Sequence, residues 1–229
     1  AFLLNRQGKY SEALELNSDV LEKKEQLFGR SNLKTLSALH LQNTIFINLG
    51  RYSEALEICS EVLNQRLSTL PMEHPDILRT KKSMAIIYLK LGQPDQSLQL
   101  LENVLTLRRE NLGPEHALTL ATAQLQASAQ LCTGSVPEAY ENSTKVLEKQ
   151  IQLLGKDHPN TLSTRHGIVA VLLKQQKFKL AEEQCMDVLD ARRTIEGKTH
   201  PNTLETQNLL ASIKQHLGNL QGAYDLHRE

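Results

Sequence analysis

The sequence predicts an all-α fold: a right-handed superhelical solenoid of antiparallel helical hairpins. Three observations predict it. GKYSEAL at residues 8–14 returns as GRYSEAL at residues 50–56, 42 positions later. The match then continues at the same step along the whole chain. Apolar residues fall at helical spacing throughout, and no segment alternates as a strand would. A fixed period of this length marks a stacked array of identical structural units.

Each position in the unit has a physical job. Glycine recurs at Gly8, Gly50, Gly92, Gly134 and Gly218, with Gln176 in the fifth slot. It marks the turn inside a hairpin, where a left-handed backbone suits glycine. Five residues on stand Ala13, Ala55, Ser97, Ala139, Ala181 and Ala223. Two helices cross tightly only where almost no side chain intervenes, so these small residues mark the crossing. Val20-Leu21, Val62-Leu63, Val104-Leu105, Val146-Leu147 and Val188-Leu189 supply the apolar stripe of the second helix. A second glycine series, Gly29, Gly113, Gly155 and Gly197, ends that helix as an αL residue, with Pro71 in the remaining slot. His74-Pro75, His158-Pro159 and His200-Pro201 open the next first helix, where proline is preorganised. His116-Ala117 and Asn32-Leu33 replace that pair in two units. The predicted organisation is one array over 1–229: a partial repeat 1–31, full repeats 32–73, 74–115, 116–157 and 158–199, and a partial repeat 200–229.

The Gly-x-Tyr/Phe-x-x-Ala core, the Val-Leu pair and the His-Pro-Asn/Asp-x-Leu helix start resemble the tetratricopeptide repeat family. The resemblance is to its 42-residue form, found in kinesin light chains and in fungal and bacterial arrays joined to a nucleotide-binding switch domain. It covers the whole chain. It implies protein–protein recognition without chemistry, with first helices lining a concave groove. On that pattern the exposed groove positions are His40, Asn48, Arg79, Lys82, Lys90, Gln124, Cys132, His166, Lys174, Asn208 and His216. Neither end shows a polar cap, so the expectation is a segment of a longer protein. Uncapped ends would also allow head-to-tail self-association.

Lys+Arg and Asp+Glu both number 26, so the chain is neutral. Bulk nucleic-acid binding needs a strong positive balance and is not expected. No apolar run reaches the ~20 residues of a membrane span. Three scattered cysteines predict no disulfide scaffold and a reduced, cytoplasmic setting. Cys59 and Cys185 read as small core residues and Cys132 as a more open one. The sequon at Asn142 falls on a helical pattern and reads as chance. The row of His74, His116, His158 and His200 cannot converge on one ion, because equivalent positions lie one per unit. No phosphate loop and no activated nucleophile is present. No catalytic residue, metal or cofactor is expected.

The charges nonetheless segregate. In the first-helix segments the only acids are Asp76 and Glu205, against Lys34, Arg79, Lys81, Lys82, Lys90, Arg165, Lys174 and Lys214. Residues 117–133 carry no charge. A mildly basic groove with an apolar middle suits an acidic peptide. The plain alternative is that these lysines are only solvated and the partner is of another kind. Three settings remain open: the sensor or scaffold arm of a larger signalling protein, a cargo adaptor like the kinesin light chains, and an oligomerisation module.

Overall fold

The computed structural model describes residues 1–228, and every regular element in them is an α-helix. In chain order these are α1 (Phe2–Arg6), α2 (Tyr10–Phe28), α3 (Leu33–Asn48), α4 (Tyr52–Leu67), α5 (Pro75–Lys90) and α6 (Pro94–Leu112). There follow α7 (Ala117–Thr133), α8 (Val136–Leu154), α9 (Pro159–Lys174), α10 (Phe178–Ile195), α11 (Pro201–His216) and α12 (Leu220–Arg228). The first helices α3, α5, α7, α9 and α11 begin in equal steps along the chain. Contacts group the residues into two compact units, Ala1–Leu107 and Arg108–Glu229, with the dividing line inside α6.

Within each unit, helices pack on their neighbours in sequence. In the first unit, α2 packs on α3, α3 on α4 and α4 on α5, and α3 also touches α5. Leu36, Leu39 and Val62 form one core cluster, and Phe46, Ala55, Cys59, Met84 and Ile87 another. In the second unit the chain of contacts runs from α7 to α12, with α7 touching α9 and α9 touching α11. Its core gathers Ile168, Leu172, Cys185, Leu189, Leu210 and Ile213. One hairpin cannot bury both of its faces, so each unit is held by stacking of neighbours. Ala13, Ala55, Ser97, Ala139, Ala181 and Ala223 are all buried, as a tight crossing requires.

The turns match their sequence slots, with two refinements. The intra-hairpin position takes positive φ in every unit, including Gln176 at φ 59, the only non-glycine residue there among those described. The glycine closing the second helix is not simply αL. Gly29 and Gly155 pair φ values of 81 and 87 with ψ values of 162 and 161. That region is closed to residues with a Cβ, so the demand for glycine is stricter than αL alone would make it.

The histidines before the first helices are N-caps. Nδ1 of His74, His116, His158 and His200 accepts the amide N–H of Asp76, Leu118, Asn160 and Asn202, at 3.1, 3.2, 3.2 and 3.2 Å. The Asn32 side chain does the same for Lys34 at 2.9 Å. Each cap satisfies one of the orphan donors at a helix start.

A second periodic device ties each second helix to the next first helix. Arg66, Arg108 and Arg192 are buried near the ends of α4, α6 and α10. Each donates through Nη1 to a backbone carbonyl and to a threonine hydroxyl one turn on. The carbonyls belong to Asp76, Leu118 and Asn202, at 3.0, 3.0 and 2.6 Å. The hydroxyls belong to Thr80, Thr122 and Thr206, at 2.5, 2.5 and 2.6 Å. Lys24 reaches the equivalent carbonyl of Lys34 at 3.0 Å. Gln150 holds the slot on α8, buried, with its Oε1 unpartnered. A buried cation is tolerated because charge-assisted hydrogen bonds offset part of its desolvation.

Two stability outcomes follow. Arg108→Ala should cost about 2–4 kcal/mol through a cavity and lost hydrogen bonds, while the exposed neighbour Arg109→Ala should stay within about 0.5 kcal/mol. Urea unfolding of both variants checks the contrast. Gln176→Gly relieves a left-handed backbone with a Cβ and should stabilise by about 1 kcal/mol, read as a rise in Tm.

Candidate peptide-binding surfaces

In the first unit, α3 carries His40 and Asn48, and α5 carries Arg79, Lys82 and Lys90. His40 and Arg79 meet. They line a cavity of about 370 Å³ with Phe2, Asn5, Ser37, Leu41 and Thr44. Arg79 holds Asp76 Oδ1 at 2.7 Å and still leaves about half its side chain in solvent. Asn48 donates to Asn5 Oδ1 at 2.9 Å, which orients the amide on the cavity side of α1. Lys82 is half-buried and Lys90 exposed. The site thus presents one fork-shaped cation, one imidazole, a carboxamide and two apolar walls.

His40 is mostly buried, and its Nδ1 has no hydrogen-bond partner. Burial, reinforced by the nearby Arg79 and Arg66 charges, pushes the imidazole down to about 3. The neutral ring is therefore the resident form, and any anion entering the cavity would favour its protonation.

In the second unit, α9 places Lys174 and α11 places Asn208 in solvent. His166 is half-buried, with Nδ1 3.3 Å from Thr206 Oγ1. Gln124 departs from expectation. The repeat pattern assigns it to the exposed groove, yet it is only 9% exposed, with Oε1 unpartnered. The cause is Gly167 on α9. A Cβ there would sit 2.5 Å from Gln124 Nε2, so the bare backbone accepts the amide and the side chain lies down on it. The positions two residues before the turn, Asn48, Lys90, Cys132, Lys174 and His216, are all exposed.

The cysteines are free, with Cys59 and Cys185 buried and Cys132 exposed. Burial pushes the Cys59 and Cys185 thiols up to about 12, which keeps them unreactive. Among the described residues no group of three or more His, Cys, Asp or Glu could hold a metal ion. Among the described residues no helix is long and apolar enough to cross a membrane.

A tetratricopeptide repeat profile matches residues 76–139 and 163–229, more than half of the chain, and a second one matches residues 1–32. The chain belongs to the tetratricopeptide repeat family. No curated protein matches it. Among solved structures, it is 28% identical to a Podosopora anserina protein with nearly identical TPR-like repeats, provisionally assigned as a kinesin light chain. That match covers 84% of this chain and 91% of the other, at a TM-score of 0.62. BtubC (BKLC) from P. vanneervenii is 16% identical, with 99% and 88% of the two chains covered and a TM-score of 0.63. NprR in complex with its cognate peptide NprX is 15% identical, with 97% and 64% covered and a TM-score of 0.75. The latter two are similar in fold.

The depressed His40 value sets a pH dependence for this tetratricopeptide array. Its folded-state pKa lies below the ordinary 6.5, so the folded state resists protonation that the unfolded chain accepts. Stability is full above pH 6.5 and falls as pH drops from about 6.5 towards 3. His40→Gln should flatten that limb of the Tm-versus-pH curve. An unchanged slope in the variant would show that His40 is not the group responsible.

Proposed function

We propose that this tetratricopeptide array is a non-catalytic scaffold that binds an acidic peptide segment of a protein partner along its first helices. The observation that carries the reading is the joint presence of Arg79 and His40 in one cavity with Leu41 and Phe2. A guanidinium beside an apolar wall suits an acidic side chain flanked by an apolar one. Asn48, Lys82 and Lys90 extend the same face in the first unit. Lys174, Asn208 and His166 supply the equivalent positions in the second. Gln124 contributes its backbone neighbourhood and the apolar surface around it rather than a free amide. NprR, of similar fold, is seen with a peptide, so such folds can accommodate one.

The setting we favour is the sensor or scaffold arm of a larger signalling protein, as in arrays joined to a nucleotide-binding switch. The kinship with the Podosopora anserina protein favours a second reading, a cargo adaptor like the kinesin light chains.

Binding of an acidic–apolar peptide library, followed by fluorescence polarisation of the best binders, tests the reading. Arg79→Glu with Lys82→Glu should weaken binding at least tenfold and reduce its salt dependence. Unchanged affinity for every binding peptide would remove the idea.

A further inference from the structure

The hairpin of α7 and α8 is joined by Asn142, which donates to Gln130 Oε1 at 2.9 Å, but it lacks the pair that its neighbours make one turn further along the second helix. In the α5–α6 hairpin, Lys81 Nζ donates to Asn103 Oδ1 at 2.8 Å. In the α9–α10 hairpin, Arg165 faces Asp187 at 3.6 Å. Both place a cation on the first helix and an acceptor on the second. The equivalent residues of the α7–α8 hairpin are Ala123 and Lys145. The first-helix cation is gone, and the second-helix acceptor has become a cation.

The exchange leaves a cavity of about 220 Å³, bordered by Ala123 and by three cations, Arg109, Lys145 and Lys149. Glu115 is the single acid on its wall, so the lining carries a net double positive charge. Lys149 holds Glu115 at 2.6 Å and Lys145 holds Glu141 at 2.5 Å, but all four side chains are 44–68% exposed. Such exposed pairs contribute little and exchange readily. Asn142 adds a carboxamide to the lining, where α2, α4 and α6 carry Leu16, Ile58 and Leu100 and α10 carries Gln184.

We propose that this cavity is a binding site for a phosphate dianion, either as a free phosphate compound or as a phosphorylated side chain of a partner. In neighbouring hairpins the acceptor is built in; here it comes from outside. Three cations set around a small recess complement a tetrahedral dianion better than a single carboxylate, because each can meet a different oxygen. Phosphate is largely dianionic above its second pKa of about 6. The site is separate from the peptide surface of α3 and α5, and neither reading depends on the other.

Titration of the whole chain with inorganic phosphate, followed by amide NMR at constant ionic strength, tests the proposal. Saturable shifts centred on Ala123, Lys145 and Lys149 are expected. Ala123→Lys with Lys145→Asn transplants the Lys81–Asn103 pair into the recess and should abolish them with the fold intact. Should that double variant fail to fold, Arg109→Gln with Lys149→Gln should weaken half-saturation at least tenfold. Shifts reproduced by chloride, or surviving unchanged in these variants, would overturn the site. A phosphoserine peptide that binds more tightly than inorganic phosphate assigns the group to a protein partner. Equal or weaker binding assigns it to a free phosphate compound, and either result supports the site.

Discussion

Two helices can lie in close contact only where one of them presents almost no side chain. Ala13, Ala55, Ser97, Ala139, Ala181 and Ala223 meet that constraint, and each is buried. Close crossing brings the Val-Leu stripe of the second helix onto the first. It also leaves the outer face of each hairpin apolar and in need of a neighbour. Inter-hairpin packing, such as α4 on α5 and α8 on α9, answers that need. The buried arginines then become intelligible. Where the end of a second helix meets the start of the next first helix, carbonyls would face a dry interface. Arg66, Arg108 and Arg192 fill those carbonyls and a threonine hydroxyl together.

Much of this was legible in the sequence because a repeat states each requirement several times. The turn glycines, the crossing alanines and the helix starts were all readable as series, and the structure keeps them. Gln176 shows the strength of the constraint, since the backbone stays left-handed even where the residue is unsuited to it. The arginine clasp was present as an equally regular series at 66, 108 and 192, but charged residues on a second helix are ordinarily read as solvated. Burial of a cation is a tertiary fact, decided by the carbonyls that the next helix brings up. The cap role of His74, His116, His158 and His200 was only half visible. Histidine is an uncommon cap, and the pattern of the ring nitrogens is settled by geometry rather than by residue type.

The candidate surface was less legible for a related reason. Side-chain exposure in an array depends on the residues that the next unit brings up. Gln124 has the spacing of a groove residue, but Gly167 in the next first helix leaves room for it to fold down. His40 has the same spacing, yet burial and the charges of Arg66 and Arg79 decide its protonation. Neither effect is encoded within one repeat. Each appears only when two units are compared side by side, and the same comparison exposes Ala123 and Lys145.

The charges of this chain therefore divide by whether the array itself supplies their partner. Arg66, Arg108 and Arg192 meet carbonyls and hydroxyls that every such junction offers, so their role is internal and recurs with the period. Lys81 and Arg165 meet Asn103 and Asp187 across a hairpin, so they too are spoken for. Lys145 stands where the neighbouring hairpins carry the acceptor and pairs instead with the exposed Glu141, and Arg79 holds Asp76 while keeping half its side chain in solvent. In a neutral chain with 26 bases and 26 acids, totals reveal none of this. What distinguishes one slot from the next is whether its partner is a buried group fixed by the array or an exposed side chain open to exchange with solvent.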